Sequence, residues 1–161
     1  MGFSCSKKEK MMLQTAKIFQ DGMILQRGKR ICVWGKSEPE TTVTVEIQGK
    51  KESTIAKGNG EWSVWIPKLK ASEDEVMHIS TETEHLQYKD VAVGEVWVAG
   101  GQSNMEFWMR YEKHKEESMK ELPKNRLRFY DVPEVCFDGQ LEIFDYSRQA
   151  VWRKATKEDL E

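Results

Sequence analysis

Short alternations of apolar and polar residues, separated by turn-forming residues, recur from Gln14 to about Val93. Only in a strand do successive side chains point to opposite faces, so this period of two argues against a helical N-terminal half. Thr41–Gln48 is the clearest case, with Val43, Val45 and Ile47 on one face. Trp62, Val64 and Ile66 alternate with Glu61, Ser63 and Trp65 before Pro67 ends the run. Ile24–Gly35 reads as strand, turn, strand about Gln26–Lys29, and Glu75–Thr81 with His85–Lys89 forms a further pair. Gly49-Lys-Lys51 and Lys57-Gly-Asn-Gly60 are turn signals between runs. This spacing predicts an antiparallel β-sandwich or barrel over residues 13–93.

The pattern changes near Asp90–Glu95. Val96-Trp-Val-Ala99 is continuously apolar, which predicts a strand buried on both faces, as in a parallel sheet. Gly100-Gly101 breaks the run, Asn104 to about Glu121 is helix-permissive, and Pro123 follows. Arg126–Val132 then reads as the next strand. The expected fold class is therefore mixed β and α/β: the strand-rich part, then the first strand-helix-strand part of an α/β domain over 94–161. Beyond it lie Phe137, Ile143, Phe144, Tyr146 and Trp152, and a helix start at Thr156–Asp159. Two strands cannot bury both faces of a sheet, so residues 94–161 either pack on the sandwich or belong to a truncated domain.

Composition excludes several classes. With 39% hydrophobic and 32% charged residues, the 161-residue chain is foldable and too broken by charge to span a membrane as a helix. A net charge of −2 without a basic block argues against a nucleic-acid partner. The three cysteines, Cys5, Cys32 and Cys136, form no C-x-x-C pair and no even-numbered framework. A reducing, cytoplasmic setting fits that usage. Met1–Lys10 lacks the apolar stretch of a secretory signal. Gly2 and Ser6 match the loose myristoylation pattern, though a polar leader before Leu13 is the simpler reading.

Ser103 lies where the apolar run meets a helix start, a position suited to nucleophilic catalysis. The turn would expose its hydroxyl, and free N–H groups of a first helical turn stabilise an oxyanion. Gly100 and Gly101 would allow a tight turn and close substrate approach. Ser103-Asn-Met-Glu106 is also an S-x-x-E capping box, and Ser72-Glu-Asp-Glu75 fits the same pattern. A serine needs a base. His114 would lie about 16 Å away along a helix at 1.5 Å per residue. His78 and His85 each end a Glu-x-x-His triplet, whose ends point to opposite faces of a strand, so neither triplet makes a dyad or a metal pair. Both histidines read as surface or turn residues. Trp65, opposite in face to Trp62, is the best candidate for stacking on a sugar.

At Gly101-Gln-Ser-Asn-Met105 the sequence resembles the sialate O-acetylesterase family of the SGNH hydrolase superfamily. Phe19–Arg27, Val33–Gly35, Gly60–Pro67 and Asp90–Trp97 resemble that family's N-terminal β-sandwich and the opening of its hydrolase domain. The resemblance implies a serine esterase that removes O-acetyl groups from sugars such as sialic acids or xylan-type glycans, without metal or cofactor. Its partner would be an O-acetylated carbohydrate. Ser103 is the implied nucleophile, with Gly101, Gln102 and Asn104 in the oxyanion-hole and active-site loop. The family draws further oxyanion donors from a Gly and an Asn on later blocks, and its base from an Asp-x-x-His near the C-terminal end. No Asp-x-x-His follows Ser103, and Gly139 and Asn125 stand in no matching block, so these residues are expected to be catalytically incomplete.

The alternative is a non-catalytic module, its sandwich binding glycan or protein and residues 94–161 acting as a docking arm. A partial α/β unit would also expose apolar surface around Val96–Ala99 and Leu127–Phe129. Self-association of the isolated chain is the expected outcome. A sharp monomer peak in size-exclusion chromatography with light scattering would contradict it.

Overall fold

In the computed structural model, the described residues are 10–101, 105, 107–133, 140 and 149–160. Two sheets share one core. The first has three strands in the order β1 (Gln14–Thr15), β3 (Ile31–Lys36), β6 (Glu61–Ile66), all antiparallel. The second has five, in the order β2 (Ile24–Gln26), β8 (His85–Gly94), β7 (Ser72–Ser80), β4 (Thr42–Ile47), β5 (Lys50–Ile55).

The alternation seen in the sequence decides which side chains face inward. Val33, Trp62, Val64 and Ile66 of the first sheet meet Val43, Val45, Ile47, Met77, Ile79, Val91 and Val93 of the second in one buried cluster. The β4–β5 hairpin turns at Gln48 (φ 50°) and Gly49 (φ 67°), two successive left-handed residues that match the twist of the flanking strands. The sandwich-like half fits the alternation, with one departure. Ile24–Gly35 is strand, turn and strand as read, but its two strands do not pair with each other: β2 pairs with β8 in parallel (Ile24↔Ala92) while β3 joins the other sheet.

Strand β8 contains a bulge that the sequence hides. Tyr88 pairs with Met77 and Val91 with Glu75, so Lys89 and Asp90 together oppose Val76. Asp90 takes a left-handed φ of 55°, which aspartate tolerates better than most residues. The extra residue changes the phase of the strand. Leu86 and Tyr88 pack against the core before it, and Val91 and Val93 fill the core after it.

The expected strand-helix-strand unit of an α/β hydrolase is corrected. The described chain is nearly all β. Val96–Ala99 is no strand, and Trp97 and Val98 are 87% and 97% exposed. Within the predicted helix the described residues form only a 3-10 turn, Met109–Tyr111, and a short helix α1, Lys115–Lys120. Neither buries a residue. Without an apolar face packed on a core, helix propensity alone does not sustain a long helix in water. The predicted strand at Arg126–Val132 exists as β9 (Lys124–Tyr130), but its partner is antiparallel β10 (Trp152–Ala155). A terminal helix, α2 (Lys157–Leu160), follows. Ser72–Glu75 lies in β7, so that match to the capping pattern starts no helix.

The β9–β10 hairpin docks on the sandwich through a buried arginine. The Arg128 guanidinium donates to the backbone carbonyls of Gly22 (2.8 Å), Glu73 (3.3 Å) and Asp90, and to Asp90 Oδ1 (2.9 Å). Lys154 Nζ reaches Asp90 Oδ2 at 2.7 Å. Trp152 Nε1 donates to Ile18 O (2.8 Å), and Gln20 Nε2 donates to Ala150 O (2.7 Å).

Partial burial pushes the Asp90 carboxyl up, but the hydrogen bond from Lys154 and the charges of Arg128 and Lys154 together hold it below its usual value. A depressed folded-state value gives stability that is present above the unfolded value, about 3.9, and is lost as pH falls through the folded one. Asp90→Asn keeps a residue that accepts the left-handed backbone. The substitution is expected to cost about 1 kcal/mol at pH 7, allowing for solvent screening of the half-exposed carboxylate. Urea unfolding against pH should show that difference shrinking toward zero as pH falls below the usual aspartate range. A difference independent of pH would contradict the charge-based account.

Candidate active site

The candidate loop begins where β8 ends, and β2 fixes its starting point. Arg27 N donates to Gly94 O (2.8 Å) and Val96 N donates to Gln26 Oε1 (3.0 Å). Gln26 Nε2 (3.0 Å) and Arg27 Nε (2.5 Å) both donate to the Glu95 carboxylate. The hydrogen bonds from Gln26 and then Arg27 hold that carboxyl below its ordinary value. The backbone is therefore pinned through Val96 before it runs out into the exposed glycines.

Gly100 has open space around its α-carbon, whereas a β-carbon at Gly101 would stand 2.7 Å from Met105 Cγ. Gly101 thus lets the chain fold back against Met105. Gln102, Ser103 and Asn104, the other predicted site residues, lie outside the described residues, as does Glu106 of the capping box. Gly101 is exposed.

The histidines fall in two places. His114 occupies the N-cap position of α1 without a side-chain cap, and its Nδ1 lies 4.0 Å from Glu117 Oε2. His78 and His85 sit on the outer face of the five-stranded sheet, with His78 Nδ1 and His85 Nε2 3.1 Å apart. Sequence reasoning set these two aside because it compared each histidine only with the glutamate three residues before it. What joins them is the β7–β8 register, in which Ser80 pairs with His85 and His78 with Gln87. The Arg128–Asp90 contact was missed for the same reason, since no local pattern links residues so far apart in sequence. Among the described residues, no group of three or more His, Cys, Asp and Glu is arranged to hold a metal. No described helix is long and apolar enough to cross a membrane.

The motifs that suggested a family have clear structural duties. In Phe19–Arg27, Phe19 is buried and sets its ring edge-on to Trp34 at 4.8 Å. Asp21 Oδ1 accepts from Lys89 N (2.7 Å), Met23 and Leu25 are core, and Gln26 with Arg27 grips Glu95. At Gly35 a β-carbon would fall 1.9 Å from Gln14 O and 2.8 Å from Trp62 Cζ2, so only glycine lets β1 cross there. Trp34 and Trp65 stand on the outer face of the three-stranded sheet, 45% and 52% exposed. Arg30 lies over the Trp65 ring, 5.4 Å from its centroid.

These observations define a β protein of two core sheets and a docked β9–β10 hairpin, with a glycine-containing loop at the end of its longest strand. No protein-family model matches the sequence. The chain is 32% identical over 102 residues to the sialate O-acetylesterase of Mus musculus, a match covering 56% of this chain and 19% of that protein. It also superposes on the crystal structure of a carbohydrate acetylesterase from Xanthomonas citri, with a TM-score of 0.79 and 29% identity. That match covers 91% of this chain and 33% of the acetylesterase. The chain thus spans a fifth to a third of the length of these relatives.

Proposed function

We propose that this chain takes part in the hydrolysis of O-acetyl esters on carbohydrates, with Ser103 as nucleophile. The observation that carries the reading is the similarity to two carbohydrate-directed acetylesterases, one in sequence and one in fold over 91% of the chain. Ser103 Oγ would attack the acetyl carbonyl carbon as a base takes its proton. The tetrahedral oxyanion would be held by backbone N–H groups of the loop around Gly101, Gln102 and Asn104. Collapse would expel the sugar hydroxyl, protonated by the same base, and leave an acetyl-serine. Water would then release acetate and restore Ser103. The SGNH-type assignment and the domain division near residues 93 and 94 belong to this reading.

The base is the missing part. His114 is the only histidine after Ser103 in this sequence, and it sits at the exposed start of α1. We expect the base to come from outside these 161 residues. Acetate release from aryl acetate and from an O-acetylated sugar is therefore expected to be slow, with Ser103→Ala removing whatever is seen. Turnover unaffected by Ser103→Ala would sink the nucleophile assignment. Robust, Ser103-dependent turnover would sink the need for an outside base.

The exposure of Trp65 and Trp34 on one sheet face favours a second reading, a glycan-binding module. Calorimetric titration with O-acetylated and plain oligosaccharides is expected to show binding weakened at least about tenfold by Trp65→Ala, the loss of roughly 1.4 kcal/mol. No binding by the unaltered chain would remove this reading.

A further inference from the structure

We propose that His78 and His85 form a two-point chelate for a divalent transition-metal ion of the borderline class, such as copper(II), nickel(II) or zinc(II). The two residues are diagonal neighbours across the β7–β8 ladder, with His78 opposite Gln87 and His85 opposite Ser80. Their flanking residues Met77, Ile79 and Leu86 pack in or against the core, which fixes both backbones and points both imidazoles outward. The rings lie 5.2 Å apart at 29° to each other.

The decisive quantity is the separation between nitrogens. Two imidazole nitrogens bound to one ion at about 2.0–2.1 Å, with an angle of about 90–109° between them, stand roughly 2.9–3.4 Å apart. His78 Nδ1 and His85 Nε2 are 3.1 Å apart. That separation also fits a hydrogen bond between neutral rings. For the metal to bind, the donor ring would switch tautomer, its proton moving to its other nitrogen, and small rotations would turn both lone pairs toward a common point. Both rings stay neutral and no proton leaves the pair.

One carboxylate is at hand: Glu46 lies opposite His78 on β4, 3.9 Å from Lys51 Nζ. Thr44 and Ser80 face one another beside the pair, Gln87 lies opposite His78, and Lys89 follows Gln87 on β8. With two protein nitrogens and no third ligand built in, water would complete the shell. Such a site discriminates by ligand type: imidazole suits copper, nickel and zinc and disfavours magnesium. Affinity should follow the ordinary series, copper(II) above nickel(II) and zinc(II).

The test uses the full 161-residue chain, under reducing conditions compatible with the metal, with nickel(II) or zinc(II) titrated calorimetrically. His78→Ala, His85→Ala and the double variant are compared with the unaltered chain. One ion per chain is expected, weakened at least about tenfold by either single substitution and lost from this site in the double variant. At about 100 times its Kd the ion should raise the folding constant of the unaltered chain about 100-fold, seen as a higher melting midpoint. Magnesium should do neither. Unchanged far-UV circular dichroism checks that the exposed substitutions leave the fold intact. Equal binding by the unaltered chain and the double variant would overturn the proposal, because the ion would then sit on the cysteines, His114 or carboxylates. Absence of binding by the unaltered chain would overturn it as well, leaving a hydrogen-bonded pair only.

Discussion

A guanidinium cannot shed its charge at any pH a protein meets, so a buried arginine must find its acceptors within the fold. Arg128, with its side chain 4% exposed, finds them in three separate parts of the chain. The carbonyl of Gly22 comes from the loop before β2, that of Glu73 from β7, and both the carbonyl and the carboxylate of Asp90 from the bulge of β8. Lys154 from β10 shares the same carboxylate. One side chain therefore fixes the loop before β2, the bulge and the β9–β10 hairpin together. The same segment, through Gln26 and Arg27, then holds the first residues of the candidate loop. The loop's starting position depends on the arginine through that chain of contacts.

The resemblance and the geometry carry different kinds of information. Most residues of the motifs that carry the resemblance serve the sandwich: Gly35 makes room for β1 and Trp62, Met23 and Leu25 fill the core, and Asp90 answers Arg128. Such residues report the fold. The chemistry rests on the short segment after Gly101, whose case is local sequence and likeness to known acetylesterases. That division explains why the scaffold is well accounted for while the hydrolytic step stands as a proposal.

How much was legible in the sequence follows from the range of each interaction. The strands of the sandwich were readable because alternation is a local consequence of burying one face, as Val43, Val45 and Ile47 show. The parallel pairing of β2 with β8 was not, because which strands lie side by side in a sheet is settled by long-range packing. The apolar run Val96–Ala99 misled for an instructive reason. A buried strand and an exposed apolar segment look alike until their neighbours are known, and here all four of those residues lie in the open. The predicted helix failed similarly: its residues permit a helix, but none of α1 is buried to sustain one. The histidine pair needed a register that no local pattern encodes.

The bulge at Lys89–Asp90 has a consequence for how the chain tolerates changes of length. Beyond Gly58, where the turn meets open space, an inserted residue would have somewhere to go. Between Tyr88 and Val91 it would not. Deleting Asp90 would leave Tyr88 and Val91 two positions apart, so Leu86, Tyr88, Val91 and Val93 would still share the core face, but it would strip Arg128 of its carboxylate. The acceptor that the buried arginine needs is thus carried by the one residue the alternation of β8 could do without. An alignment gap at that position would describe a protein with the same core face and an unanswered arginine.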